Sequence, residues 1–227
     1  MKKLVVFSII LSLGSLGWAV DKSEVQDRLQ KSSNVLQAII AAPDKGIPEE
    51  VLANAKCVAI VPHMVKGGLG FGGQHGRGAA TCKTTQGWSA PAFFAITGGS
   101  FGLQIGVEGV DLVMLMMNDK GMQALLSNKF QIGGDVSAAA GPVGRHAQAG
   151  TDWKLDTPIL TYSRAKGVFA GITINGSAIR QDSDAAKAFY GRDVTSQQLL
   201  AGSIPPPAEA RDFLNTVARA RTEARTR

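Results

Sequence analysis

The chain has 227 residues, with 24 lysines and arginines against 18 aspartates and glutamates, which gives a formal charge of +6. Its two cysteines and three histidines show no metal-ligand spacing, so we expect no zinc site, no other metal site and no cofactor. Aromatic residues are only 6% of the chain and its body carries no run of basic residues, which argues against nucleic-acid binding.

The first 19 residues are typical of a secretory leader. Lys2 and Lys3 precede the apolar run LVVFSIILSLGSLGW, which is too short and too rich in Gly and Ser for a good membrane span. Small residues at Gly17 and Ala19 predict cleavage after Ala19; an uncleaved N-terminal anchor is the alternative. Loss of the two lysines lowers the formal charge from +6 to +4. We therefore expect an exported protein of a bacterial periplasm.

Export changes the interpretation of the two cysteines. In an oxidising compartment they predict one disulfide, Cys57–Cys82. The bridge would close a loop of about 26 residues and stabilise the fold by roughly 3–4 kcal/mol in the loop-entropy model. Two buried free thiols are the alternative.

The segment after the leader predicts two helices. Asp21 and Glu24 fit a capping pair, and Pro43 ends the first helix. Its apolar residues recur at helical spacing: Val25, Leu29, Leu36, Ile39 and Ile40. This stripe either packs on the rest of the fold or faces a bilayer. The segment IPEEVLANAK predicts a second, short helix with Pro48 in its first turn.

From Lys56 onward the pattern changes to short β-like segments separated by glycines. The segments are GAATCKTT, APAFFAIT, SFGLQIG, DLVMLMMN, KFQIGGDVSAAAGPVG and PILTYSRAKGVFAGITINGSAI. Turn signals lie at Thr85–Gly87 and Asn175–Gly176. Glycine inside strands indicates bends and close backbone approach. The methionine-rich run DLVMLMMN is either a core strand or the lining of an acyl-chain pocket.

Short helices interrupt and follow this β-rich region. The segments NDKGMQALLS, DSDAAKAFYG and TSQQLLAG predict helices, and a Pro-rich hinge, SIPPPAEA, leads into a last helix over residues 208–224. The fold class that we predict is α+β. A curved, Gly-rich, mainly antiparallel sheet or barrel is flanked by N- and C-terminal helices. Residues 20–202 form the main domain, and residues 203–227 form the hinge and the last helix.

Two short motifs suggest enzymes. The stretch GLGFGG, which begins at Gly68, matches the dinucleotide fingerprint, but the residues after Gly73 predict strand where that site needs a helix. The stretch GGSFG around Ser100 matches the nucleophile elbow of serine hydrolases, but strand again follows. A hydrolase remains an alternative, because Asp111 or Asp135 and His146 follow Ser100 in the order that a triad requires.

Four longer blocks resemble the SYLF-domain family, and the likeness runs from about Val25 to Leu200. The blocks are AKCVAIVPHMVKGGLGFGGQHGRG, GWSAPAFFAITGGSFGLQIGVEGVDLVMLMMN, GMQALLSNKFQIGGDVSAAAGPVGR and ILTYSRAKGVFAGITINGSAI. The resemblance implies non-catalytic binding to membranes, with anionic lipids and phosphoinositides as ligands of eukaryotic members. Some eukaryotic members also bind actin, which an exported bacterial protein does not meet, so we expect no actin partner.

The glycines of the family match at Gly67, Gly72, Gly73, Gly76 and Gly78. One departure is Gln74-His75, where the family often has Arg-Tyr; the change removes a fixed positive charge from a candidate lipid face.

Six cations in or beside Gly-rich turns are the candidate lipid-binding residues, since backbone N–H groups there can join them in holding a phosphate. They are Lys66, Arg77, Lys83, Arg145, Arg164 and Lys166. Each is alternatively a solvated surface charge. If the stretch between Lys66 and Arg77 is a hairpin closed near Gly72 and Gly73, these two cations lie close together and form an anion site.

The sequence therefore predicts a non-enzymatic protein, with no catalytic residues, that lies peripherally on an anionic phospholipid membrane of the bacterial cell envelope. A serine hydrolase using Ser100 is one alternative. A structural envelope protein with an unknown protein partner is the other.

Overall fold

The computed structural model describes residues 20–41, 46–143, 157–165 and 168–226, and these form an α+β fold with helices around a curled mixed sheet. The helices are α1 (Lys22–Ile40), α2 (Glu49–Asn54), α3 (Asp119–Leu126), α4 (Ser183–Tyr190), α5 (Ser196–Leu200) and α6 (Arg211–Thr226). The strands are β1 (Cys57–Thr84), β2 (Gly87–Trp88), β3 (Ala92–Met116), β4 (Lys129–Gln131), β5 (Ala138–Ala140), β6 (Ile159–Ala165), β7 (Val168–Gly171) and β8 (Ala178–Gln181). The predicted fold class is confirmed.

Two long strands dominate the sheet. β1 has 28 residues and β3 has 25, and they pair antiparallel from Cys57 opposite Met116 to Ala80 opposite Ala92. The expectation of several short strands here was wrong. The glycines lie inside the paired strands, where they permit bending without ending the ladder.

β1 bends so strongly that its end lies beside its beginning. The N–H of Lys83 donates to the carbonyl of Lys56 at 2.8 Å. The predicted disulfide Cys57–Cys82 is present, with the two Cα atoms 4.0 Å apart. A Cβ built on Gly78 would lie 2.4 Å from the carbonyl oxygen of Ile60. Glycine is required here because the two halves of β1 touch backbone to backbone.

The ends of β3 connect this ribbon to the other strands. Residues 111–116 pair antiparallel with β6, which pairs in turn with β5 (parallel) and β7 (antiparallel). Residues 94–97 pair with β8, and β8 pairs with β4, both antiparallel. In the described part of the chain, residues 98–110 of β3 have β1 as their only ladder partner.

The helices pack around the sheet to form one core. Val25, Leu29 and Leu36 of α1 are buried, so the described part of the apolar stripe of this helix packs inside the protein. Residues 112–116 are also buried, and the methionine-rich run is therefore a core strand. Phe213 and Val217 of α6 belong to the same cluster. Within the described ranges, every helix is too short or too polar to cross a bilayer.

Candidate anion-binding surface

The structure separates Lys66 and Arg77, which the sequence placed together. The predicted hairpin closed near Gly72 and Gly73 is wrong, because β1 runs through these glycines and pairs with β3. Lys66 lies opposite Glu108, and Arg77 lies opposite Ala95. Burial lowers the pKa of Lys66, while the negative charge of Glu108 acts in the opposite direction.

Arg77 lies beside the N-terminal part of α1 and is paired with carboxylates. Its guanidinium is 3.2 Å from Glu24 and 4.0 Å from Asp182. Asp182 also accepts a hydrogen bond from the buried Arg28 at 2.9 Å and caps α4 through the N–H of Ala185. Arg77 therefore helps to join α1, β1 and the start of α4, and its side chain is still 46% exposed.

The other predicted cations lie in different places. Arg164 donates through Nε and Nη2 to the carboxylate of Asp111, at 2.8 and 2.6 Å, so an acid largely neutralises its charge. Lys83 is exposed at the far end of β1, near the turn into β2. Arg145 and Lys166 lie outside the described residues. The structure thus does not bring the described members of this set onto one surface.

A different set of cations shares one row of the sheet. Arg77 on β1 is opposite Ala95 on β3, Ala95 is opposite Arg180 on β8, and Arg180 is opposite Lys129 on β4. Residues in such a cross-strand row share a face of the sheet. We call these four residues the basic row. Its three cations are all exposed.

Lys129 and Arg180 are the unusual pair of the basic row. Like charges directly opposite each other on paired strands are destabilising. Among the described residues, no carboxylate lies within ion-pair distance of Lys129 or Arg180. This arrangement costs stability without an internal compensation, and an external anion would relieve it.

The neighbouring row extends the surface with uncharged polar groups. His75, Thr97, Ala178 and Gln131 lie opposite one another in the same order of strands. His75, Thr97 and Gln131 are exposed. Ala95 and Ala178 occupy the centre of the two rows, and their small side chains leave room between the longer ones. The surface can therefore surround a phosphate with two or three cations and several hydrogen-bonding groups.

Sequence reasoning missed Lys129 and Arg180 because neither lies in a Gly-rich turn. Polar and apolar residues alternate in KFQI and SAIRQ, and this alternation does place Lys129 and Arg180 on the polar faces of their strands. However, only the pairing of β4, β8, β3 and β1 brings them into line with Arg77, and local patterns do not specify the register of strands that are distant in sequence.

The two enzyme motifs have no catalytic geometry in the backbone. β1 continues as strand through Gly73 to Thr84, and β3 continues through Ser100 to Met116. The helix that a dinucleotide site or a nucleophile elbow needs is replaced by strand in both places. His146 lies outside the described residues. In the ranges that the structure covers, no three His, Cys, Asp or Glu side chains come together as a metal site.

Comparison with known proteins identifies the family. The sequence model described as "Ysc84: Las17-binding protein actin regulator" matches residues 97–220, more than half of the chain. The chain belongs to the Ysc84 family of SYLF domains. The matched range includes most of β3 and the later elements as far as residue 220 in α6, and so two of the three cations of the basic row.

Individual relatives of this Ysc84-family chain come from mammals and yeast. "SH3 domain-containing YSC84-like protein 1" of Rattus norvegicus is 30% identical over 198 residues, which are 84% of this chain and 58% of the relative. "Protein YSC84" of Saccharomyces cerevisiae is 33% identical over 196 residues, which are 82% and 42% of the two chains. "LAS seventeen-binding protein 3" of Saccharomyces cerevisiae is 32% identical over 194 residues, which are 81% of this chain and 42% of the relative. The chain thus spans about half the length of these relatives.

Proposed function

We propose that this Ysc84-family protein is a non-enzymatic, peripheral membrane-binding protein that recognises anionic phospholipid. The observation that carries the proposal is the basic row. Lys129 and Arg180 are exposed, directly opposite each other and without a carboxylate partner in the described structure. A phosphate group would remove the repulsion between them and gain charge-assisted hydrogen bonds from both.

The shape of the site suits a surface more than a small free ligand. The row runs across four strands, which are about 4.8 Å apart, so its cations extend over roughly 14 Å. Each basic residue near an anionic leaflet contributes about 1 kcal/mol. Lys129 and Arg180 supply two such charges on one face of the sheet, while Arg77 is shared with Glu24 and Asp182, and the net positive charge of the chain adds a general attraction.

Charge removal at the basic row tests the proposal. The double variant Lys129→Gln with Arg180→Gln should bind vesicles of phosphatidylcholine mixed with phosphatidylglycerol roughly tenfold or more weakly than wild type, at about 1 kcal/mol per charge. Vesicle co-sedimentation measures the effect, with phosphatidylcholine vesicles as the neutral reference.

A matched control separates this row from general charge. Lys120→Gln with Arg192→Gln removes one lysine and one arginine from exposed positions outside the row and so changes the net charge equally. It should bind nearly as wild type does. Equal losses in the two double variants would show that total charge, and not the basic row, accounts for binding. Failure of the wild-type protein to bind anionic vesicles would refute the function itself.

Protein binding is the activity that the relatives' names describe. One yeast relative is named as a LAS seventeen-binding protein, and the family description adds the regulation of actin; neither describes catalysis. We propose that the present chain acts without actin, because its leader-like N-terminus predicts export from the cytoplasm. Pelleting of the purified protein with actin filaments would contradict this view.

A location in the bacterial cell envelope is part of the same proposal. It is supported by the basic, apolar and small-residue regions of residues 1–19. N-terminal sequencing of the periplasmic fraction should begin at Val20. Recovery of the uncleaved chain in the cytosol would contradict the location without affecting the proposed lipid contact.

A further inference from the structure

Glu24 lies against one cation of the basic row, at the place where an external anion would approach it. It belongs to the first turn of α1, and Arg77 is the row's cation on β1. Nη1 of Arg77 donates to Oε1 of Glu24 at 3.2 Å. Both side chains are about half exposed, at 46% for Arg77 and 54% for Glu24. The pair is therefore open to solvent while it neutralises one cation of the row.

A second arginine lies close to the same carboxylate oxygen. Nη2 of Arg28 is 3.7 Å from Oε1 of Glu24. This nitrogen is buried and makes no hydrogen bond in the described part of the chain. A buried donor without a partner costs stability. Glu24 thus places one oxygen between two guanidinium groups and satisfies only that of Arg77 with a hydrogen bond.

The other acid of this network is fixed in place. The side chain of Asp182 is 11% exposed and accepts from Nη1 of Arg28 at 2.9 Å. It also accepts the N–H of Ala185 and so caps α4. Loss of a cap destabilises a helix, whereas an exposed ion pair contributes little. Of the two acids beside Arg77, Glu24 is therefore the easier to displace.

We infer that Glu24 occupies a phosphate subsite at the β1 end of the basic row and that a lipid phosphate competes with it for Arg77. The inference rests on the proposed membrane binding and names the regulation of that site, because the free protein neutralises part of its own binding surface. Glu24 uses one oxygen for Arg77, whereas a phosphate can accept two parallel N–H groups of an arginine, which is the stronger geometry.

Exchange of Glu24 for phosphate also keeps the charges of the network balanced. Arg28 and Arg77 face two acids, Glu24 and Asp182, so each arginine has one anion. A phosphate in the place of Oε1 of Glu24 preserves this balance. It also brings further acceptor oxygens towards the unpaired Nη2 of Arg28.

Removal of the carboxylate charge tests the inference. Glu24→Gln should bind vesicles of phosphatidylcholine mixed with phosphatidylglycerol roughly fivefold more tightly than wild type, the factor expected for one freed charge near an anionic leaflet. Vesicle co-sedimentation measures the change. Circular dichroism and thermal melting should show a folded variant, because loss of an exposed ion pair affects stability little.

Asp119→Asn is the matched control. Asp119 lies in the first turn of α3, is exposed and forms an ion pair with Lys56, so the change also removes one acid and frees one cation. Because Lys56 is not part of the basic row, this variant should change vesicle binding by roughly twofold at most. Equal gains in Glu24→Gln and Asp119→Asn would attribute the effect to net charge and overturn the inference.

A double-mutant cycle shows whether the gain acts through Arg77. In the Arg77→Gln background, Glu24→Gln should change vesicle binding no more than the control does, because the cation that Glu24 neutralises is gone. A gain that persists without Arg77 would show that Glu24 does not act on this subsite.

Inorganic phosphate distinguishes a lipid headgroup from a free anion. At constant ionic strength it should release wild type from vesicles no more than sulfate does, because the membrane presents many phosphates to the whole row at once. Release by phosphate alone would assign the subsite to free phosphate and would contradict competition by lipid.

The outcomes distinguish the inference from the function on which it rests. If wild type binds anionic vesicles through Lys129 and Arg180, but Glu24→Gln binds only as wild type does, the subsite is refuted and the proposed function stands. If neither wild type nor Glu24→Gln binds, both are refuted. A gain in Glu24→Gln that requires Arg77 supports both.

Discussion

At the scale of single residues, two glycines allow the halves of β1 to touch. A Cβ on Gly76 would lie 2.5 Å from Cγ1 of Val61, and one on Gly78 would lie 2.4 Å from the carbonyl oxygen of Ile60 and 2.7 Å from the ring of Phe94. At Gly78 the contacts are with a backbone oxygen and a ring atom, which leave no room for a methyl group, and at Gly76 the contact is with the Val61 side chain. The glycine content of this stretch is thus explained by packing, and no nucleotide is needed to account for it.

Gly78→Ala should therefore destabilise the fold. Forcing a methyl group against the carbonyl of Ile60 costs about 1–3 kcal/mol, the usual range for overpacking. For a chain of this size, each kcal/mol lowers the melting midpoint by about 2–4 °C. Thermal melting followed by circular dichroism measures the change.

Gly99→Ala is the control for that experiment, because its Cβ would meet no atom within 4 Å. It should melt at or slightly above the wild-type temperature, since alanine reduces the entropy of the unfolded chain. Equal melting of Gly78→Ala and Gly99→Ala would show that the close approach at Ile60 does not govern stability.

At the scale of elements, β1 is held in its folded-back shape at both ends. The disulfide Cys57–Cys82 and the hydrogen bond from Lys83 to Lys56 join the start of the strand to its end. Both cysteines are buried in the core. The bridge thus constrains the strand on which Arg77 of the basic row lies.

Removal of the bridge should lower stability by roughly 3–4 kcal/mol, from the loop of about 26 residues that it closes. Cys57→Ser with Cys82→Ser should melt well below the oxidised wild type. When wild type is unfolded and refolded in reductant, its melting midpoint should fall towards that of the variant. The melting midpoint of the variant should be the same with and without reductant. A wild-type midpoint that is unchanged after verified reduction would contradict the role of the bridge.

At the scale of the whole molecule, the charges near the sheet sort into two groups. Arg164 with Asp111 and Arg77 with Glu24 and Asp182 are internal pairs that join elements. Lys129 and Arg180 lie on the open face of the sheet with no such partner among the described residues. These two cations are therefore available to a partner from outside the protein.

Binding of the wild-type protein to anionic vesicles should consequently weaken as salt rises, because exposed charges are screened beyond about 10 Å at 0.1 M. The Lys129→Gln, Arg180→Gln variant should show a smaller dependence on salt. A salt dependence identical in wild type and in the charge variant would contradict the assignment of the contact to the basic row.

The sequence by itself determined the family, the α+β class, the helices and the disulfide, because these depend on local periodicity, caps, cysteine number and long ordered blocks. Val25 and Leu29 illustrate this, since their helical spacing predicted the buried stripe of α1. The glycines of β1 indicated close backbone approach, although not which segments approach each other.

Only the tertiary structure decided which charges act together. Lys66 and Arg77 are near in sequence and were expected to form one site, yet each has its own acidic partner. Lys129 and Arg180 are far from Arg77 in sequence and lie in one row with it. The physical reason is register: pairing of distant strands is set by how the whole sheet buries its core, and a shift of one residue would move every cation to the other face.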